Sequence, residues 1–315
     1  MAYTSGSTIL DDDYNIFAWG NPDGTINNTN NNVNTVAGVG SGDRGYGQTT
    51  VPAVAQGSVI TAAQWATLLN KISTLANHQG TSITPITNPS VGDTIAVYSA
   101  LQSNISAIVT NRRNAAANGT AITTGGTATR TTAWNVSVTA THTITFPSEL
   151  QARYWFNAGG RIAIQTSRTG GSAEAKNTGW SNLCSAIGTI NLTGWGSPAV
   201  IAGTTYDGTT KVGGSGVVNT IDTTNGVMQY GTTQAVRFRQ YDDTVDYTAN
   251  YIEITAARSA NVVTVLVKFI DNADANTDEL VDGTLTSSVT LYPPSTTYLS
   301  NSWGTPTMSS SQTGS

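Results

Sequence analysis

Two runs of strict alternation near the C-terminus constrain this chain most. Tyr251-Ile252-Glu253-Ile254-Thr255-Ala256 and residues 262–270 put every second side chain on one face, which is the period of a strand. Arg258-Ser259-Ala260-Asn261 lies between them, a hairpin by its spacing. A chain holding such a hairpin must bury one face of a sheet, and further runs supply more strands. Residues 235–241 alternate well, and so does Arg161-Ile162-Ala163-Ile164-Gln165. Residues 133–146 alternate in part, through Trp134, Val136, Val138, Ile144 and Phe146, until Pro147 ends the run. Residues 188–192 read as a short strand. Thr284, Thr286 and Ser288 against Leu285, Val289 and Leu291 give a last one, closed by Pro293-Pro294. Residues 194–235 are rich in Gly and Thr and read as surface loops with one hairpin.

The stretch 152–190 sits at the centre of this part. Its aromatic cluster Tyr154-Trp155-Phe156 reads as strand or turn, and Gly159-Gly160 as a turn into the strand at 161–167. Trp180, Leu183, Cys184 and Ile187 then recur at helical spacing. The many short strands predict an antiparallel β-sandwich or jelly-roll-like domain.

The N-terminal part reads differently. Thr61 with Gln64 three residues on is a capping-box signature. Trp65, Leu68, Leu69, Ile72 and Leu75 follow at helical spacing, and Gly80 is the stop. His78 at that helix end is expected to meet the terminal carbonyls. A second helix is expected over residues 93–114, with Tyr98, Leu101 and Ile105 on one face and Arg112-Arg113 complementing the dipole. Trp65, Leu68, Leu69, Ile72, Tyr98, Leu101 and Ile105 are the candidates for an assembly interface. Asp11-Asp12-Asp13 is expected to cap a helix. The Asn-rich tract 27–36 reads as loop with room for a short helix. The glycines of 38–47 end it, and no Gly-Lys-Ser/Thr follows to make a phosphate loop. The fold class expected is thus mainly β with an α-helical N-terminal part. Its divisions are an attachment or oligomerisation region at 1–118, a β-sandwich-like domain at 119–308 and a soft tail at 309–315.

Composition narrows the function. Charged residues are 10% of the chain, against a usual ~25%. Seven Trp and twelve Tyr, with abundant β-branched residues, argue against disorder. The net charge of −5 comes without any basic stripe, so nucleic acid is not an expected partner. No apolar run long enough for a membrane span is present, and the first residues carry no signal-peptide pattern. So little charge points to a surface spent in permanent contacts.

Few residues invite chemistry. Asp274, Asn276 and Asp278 copy the first ligand positions of a calcium loop. Glu279 replaces the turn glycine, however, and Leu285 stands where a bidentate Glu is needed. They are retained as a weak calcium candidate, and otherwise read as a solvated hairpin loop. Asp242, Asp243 and Asp246 form a second acidic patch, of the kind that serves glycosidases only when two carboxylates are held beside a sugar. Cys184 reads as a buried thiol. No zinc constellation and no Gly-x-Ser-x-Gly is present. The expectation is no enzyme and no cofactor.

Several stretches resemble a family. Asp13-Tyr14-Asn15, Gly45-Tyr46-Gly47-Gln48, Ile60-Thr61-Ala62-Ala63-Gln64-Trp65 and His78-Gln79-Gly80 are similar to virion structural proteins of tailed bacteriophages, cyanophage and marine types above all. So are residues 152–160, Lys176-Asn177-Thr178-Gly179-Trp180 and Asp282-Gly283-Thr284-Leu285-Thr286-Ser287. The resemblance implies a homo-oligomeric component of the tail, baseplate or fibre apparatus, located in the virion and partnered by other virion proteins. Two alternatives stay open. One is a receptor- or carbohydrate-binding adhesin acting on a host surface glycan, motivated by Trp195 and Trp303. The other is a capsid decoration protein.

Overall fold

The computed structural model describes residues 10–88, 90, 98–272 and 280–314. Four helices come first: α1 (Asp11–Trp19), α2 (Val33–Ala37), α3 (Ala62–Gln79) and α4 (Tyr98–Thr110). The capping box of α3 forms as its sequence predicts. Thr61 Oγ1 accepts from the Gln64 N–H at 3.2 Å, and Gln64 Oε1 accepts from the Thr61 N–H at 2.8 Å. Gly80 ends the helix in the left-handed conformation. The short α2 touches the three other helices and forms within the Asn-rich tract because Asn32 caps it. In α1 the cap is Leu10, without a side-chain bond; Asp11, Asp12 and Asp13 lie in the first turn, where they complement the dipole. Asp11 Oδ2 also accepts from the Gly57 N–H at 2.9 Å.

Side-chain amides hold the loops between these helices. Asn34 accepts from the Val51 N–H and donates to the Val51 carbonyl, at 2.8 and 3.0 Å. Asn15 does the same for Val54 at 2.9 Å each way, and Asn104 for Thr84 at 2.9 and 2.8 Å. Each amide stands in for a neighbouring strand, and at the buried Val51 and Val54 it satisfies a donor and an acceptor that burial would otherwise orphan.

After α4 the chain is mostly strand. One sheet orders β1 (Thr127–Arg130), β12 (Thr284–Tyr292), β3 (Arg161–Thr169), β4 (Thr189–Leu192) and β7 (Thr209–Val212). The other orders β13 (Thr307–Gly314), β2 (Ser137–Thr145), β11 (Val262–Ile270), β10 (Tyr251–Ser259), β9 (Ala235–Tyr241) and β8 (Thr220–Ile221). The ladders in both are antiparallel, and β5 (Ala199–Ile201) with β6 (Thr204–Tyr206) forms a separate hairpin. The hairpin expected near residue 260 is the β10–β11 pair, in register from Tyr251–Ile270 to Ser259–Val262. In β2, β11 and β12 buried and half-buried residues alternate without a break.

Three expectations are corrected here. The fold is mixed α/β with two open sheets, in place of a β-sandwich or jelly roll behind an N-terminal helical part. Among the described residues no ladder joins β1 to β13 or β7 to β8. Two further helices, α5 (Glu149–Asn157) and α6 (Ala175–Ala186), lie among the strands. The physical reason for the open form is α6, which packs on β3 and reaches β10. Its Trp180 meets the Phe269 ring of β11 at 6.2 Å and that of Trp134 at 5.0 Å. A helix between the two sheets at this end keeps them from closing face to face. Second, Tyr154-Trp155-Phe156 is helical, in α5, where Ser148 Oγ caps the Gln151 N–H and Ala152, Trp155 and Phe156 form the buried stripe. Third, residues 309–314, expected to be a soft tail, form most of β13 and pair with β2 from Thr307–Thr145 to Gly314–Val138.

Most buried apolar side chains from Tyr14 to Trp303 form one contiguous cluster, with Ala115, Ile201 and Tyr206 in a small second one. Val51 tests the amide device. Asn34→Ala leaves its N–H and carbonyl without partners in a fully buried site. A loss of about 2–4 kcal/mol is expected, read as a lower urea midpoint.

Candidate functional site

The residues offered as an assembly interface are turned inward. Trp65, Leu68, Leu69, Ile72, Leu101 and Ile105 are buried and Tyr98 half-buried. Phe17 of α1 meets Trp65 and Tyr98 at 6.5 and 5.0 Å between rings. Their apolar stripes cover one another within the chain, so they are not available to a partner. Asp274, Asn276 and Asp278 lie outside the described residues, and so do the first residues of the second expected helix, 93–97. Among the described residues no cluster of three or more His, Cys, Asp or Glu suited to a metal occurs.

The other sequence candidates are absorbed by the fold. Arg112 donates to the Val109 carbonyl at the end of α4, as the dipole argument expects, and also pairs with Asp43 at 2.7 Å. His78 does not meet its own helix carbonyls; its Nε2–H donates to the Ala158 carbonyl at 3.1 Å and ties α3 to the end of α5. The glycine loop 38–47 presents carbonyls, where a phosphate cradle needs N–H groups. Arg153 donates to the Gly40 and Arg44 carbonyls, and Asn157 to those of Gly42, Arg44 and Gly45. Asp242 is buried, its carboxyl pushed up by burial, while Asp243 and Asp246 are exposed. Cys184 is buried and its thiol is pushed up to about 12 by desolvation, as a small hydrophobe would be.

Neither Trp offers a sugar platform. Trp303 is buried at 1% exposure. Trp195 is half-buried and donates Nε1–H to Asn157 Oδ1 at 2.7 Å. The void beside it, between Arg113, Phe156 and Thr193, measures about 10 Å³, room for about one water. A larger cleft of about 600 Å³ lies beside α1, lined by Asp12, Asn15, Asp23 and Ala53. Its size suits a small ligand. Its central polar group is spent, however, since both ends of the Asn15 amide hold Val54.

The closest approach to catalytic geometry is one the sequence reading missed. His142 of β2 lies between Ser287 of β12 and Ser310 of β13, with 2.8 Å from Nε2 to Ser287 Oγ and from Nδ1 to Ser310 Oγ. Ser310 spends its only proton on the Gly125 carbonyl at 2.7 Å. It therefore accepts from His142 Nδ1–H, and the free lone pair on Nε2 accepts from Ser287. A serine, a base and an orienting acceptor stand in line, the order of an acyl-transfer site. Ser287 is 0% exposed, between the two sheets, so no substrate carbonyl reaches it. The triad acts as a polar rivet joining β2, β12 and β13. Its signal was present in the alternation, because His142 shares parity with Val138, Ala140 and Ile144, and Ser287 with Leu285 and Val289.

A second network joins two of the stretches singled out by resemblance. Arg168 donates through Nε and Nη2 to the Asp282 carbonyl and Oδ1, both at 2.8 Å. Asn177 Nδ2 donates to the same Oδ1 at 2.7 Å, and Asn177 Oδ1 accepts from the Asp282 N–H at 3.1 Å. Next to it, Lys176 and Asp271 form a fully buried ion pair at 2.6 Å. These contacts fix the start of α6 against β3 and β12, which is an architectural role.

Burial pushes both histidines down to about 4. The unfolded-chain value near 6.5 is higher, so the fold stabilises the neutral form. That contribution is complete above pH ~6.5 and is lost as pH falls toward 4. At pH 5 the loss is on the order of 2 kcal/mol per histidine. Urea unfolding at pH 7 and pH 5 should show it, and the His142→Gln variant should show a shallower dependence. A phosphonate serine probe should leave Ser287 unlabelled in the folded protein; labelling there would mean that the site opens.

Comparison with known proteins adds no relative. No family model matches the chain, and no curated protein and no solved structure matches it. The terms virion and tail draw no support from these comparisons, and the β-sandwich is overturned by the open sheets.

Proposed function

We propose that this protein is a structural subunit that acts by assembling with other proteins. The observation that carries the reading is where its charge goes. Of fourteen Lys and Arg, eight stand in ion pairs: Arg112 and Arg113 with Asp43, Arg168 with Asp282, Lys176 with Asp271, Arg237 with Asp222, Arg239 and Lys268 with Glu253, and Arg258 with Glu149. Five more donate to backbone or amide oxygens: Arg44, Arg130, Arg153, Arg161 and Lys211. Lys71 is left over among the described residues. Asp12, Asp23, Asp243 and Asp246 remain exposed, so it is free positive charge that the surface lacks. With 10% charged residues in all it is thin in the usual guard against association, which suits a subunit whose surface is spent on neighbours. The reading assigns the chain no catalysis, in keeping with a serine–histidine pair sealed between sheets.

The particle suggested by the sequence resemblance is a tailed-phage virion, with the tail region as the station. In that setting the protein is made in the host cytoplasm and works in the finished particle. Immunogold labelling with an antibody to the folded protein tests this. Gold on tails is expected. Gold on heads would favour capsid decoration, and particles without gold would remove the virion assignment.

A further inference from the structure

The two sheets differ in the faces they turn to solvent. On the five-stranded sheet the outward positions are mostly hydroxyl and amide side chains, such as Thr129, Thr286 and Ser167 in one row and Ser288 and Gln165 in the next, with Arg161 beside Tyr292 at one end. The six-stranded sheet is different. Its outward positions on β11 are Val262, Thr264, Leu266, Lys268 and Ile270, all half-buried, set against the outward Thr139, Thr141, Thr143 and Thr145 of β2. Tyr251 and Tyr241 extend the Ile270 row, with ring centroids 5.0 Å apart. Leu266 pairs with Thr141 on one side and Thr255 on the other, near the middle of the face.

Charge on this face is confined to one row. Lys268 and Arg239 flank Glu253 across adjacent strands, and both bond its carboxylate, Lys268 at 3.0 Å. The row one step beyond Leu266 on the other side holds Ser309, Thr143, Thr264 and Ala257 and no charge.

We propose that a second copy of this chain docks on this face through a two-fold axis running along the Leu266 row. This rests on the assembly reading above and names its partner and surface. Two arguments select a second copy. The axis lays the charged row of each copy over the uncharged Thr264 row of the other, so no like charges meet: Lys268 comes over Thr264 and Glu253 over Ala257. The area also suffices. Five strands about 4.8 Å apart and about eight residues long, at ~3.4 Å each, span a face of about 650 Å², of the order of the ~800 Å² per partner of a stable interface, with Glu253, Thr255 and Ala257 of β10 lying below their neighbours in it. Leu266 then lies on the axis beside Thr141, and the Ile270 row of each copy faces the Val262 row of the other.

Sedimentation equilibrium of the wild type, Leu266→Lys, Thr141→Lys and Ser288→Lys tests this, with circular dichroism melts as the check on folding. A wild-type dimer is expected. Dissociation should be at least about tenfold easier in Leu266→Lys and Thr141→Lys, and unchanged in Ser288→Lys on the other sheet. Thr141→Lys decides the matter if Leu266→Lys fails to fold. A wild type that stays monomeric to on the order of 100 µM overturns the proposal. A dimer indifferent to the Leu266 and Thr141 variants overturns it too, while leaving the assembly reading standing; that reading falls only if the protein joins no particle.

Discussion

Side-chain amides that pair with a distant backbone are the interaction on which this structure most depends. Asn15, Asn34 and Asn104 each take both the N–H and the carbonyl of one loop residue. Gln48 repeats the device at Ser300, accepting from its N–H at 2.8 Å and donating to its carbonyl at 2.9 Å. A chain with 10% charged residues has few ions to anchor its loops. Neutral amides anchor them without the desolvation cost that a buried ion carries. Burial of Val51 and Val54 would be unfavourable without them, and the hydrophobic contacts of α1 and α2 with those loops follow from the same bonds.

How far the sequence foretold the fold depends on where each signal resides. The α3 helix was legible end to end because its capping box and its glycine stop are both local. Strands β2, β11 and β12 were legible because buried and half-buried positions alternate along them, in part or wholly marked by apolar residues, and β10 because residues 251–256 alternate in sequence. The α5 helix was not, since three adjacent aromatics hide the spacing of Ala152, Trp155 and Phe156. The Asn tract read mostly as loop because the partners of Asn34 and Asn32 are backbone groups that sequence does not mark. The open form of the sheets was hidden for a related reason. The apolar stripe of α6 was visible, but nothing local says that it faces both sheets.

The candidate site was less legible than the fold. The polar residues singled out for chemistry within the described chain mostly serve the architecture. Asp11 holds Gly57, Arg112 holds Asp43 and its own helix end, and His78 holds Ala158. The arrangement that most resembles chemistry, Ser287 with His142, left only a trace, the inward parity of each residue in its own strand, and nothing in the sequence pairs the two. These groups share one logic. Polarity is moved from the surface into joints between elements, which leaves outer sheet faces of threonine, serine and a few aliphatics.

The Gln48–Ser300 pair has a consequence for synthesis. The two residues are 252 apart in sequence, and His142 waits 168 residues for Ser310. A nascent chain can close α3 as soon as it leaves the ribosome, because that helix needs only its neighbours. The loop around Tyr46 and the edge of the six-stranded sheet stay open until Ser300 and residues 307–314 have been made. Contacts of such long range slow folding and leave the unpaired edge of β2 exposed meanwhile. The final strand therefore works as a bolt. A chain that stops short of β13 leaves the β2 edge without its partner.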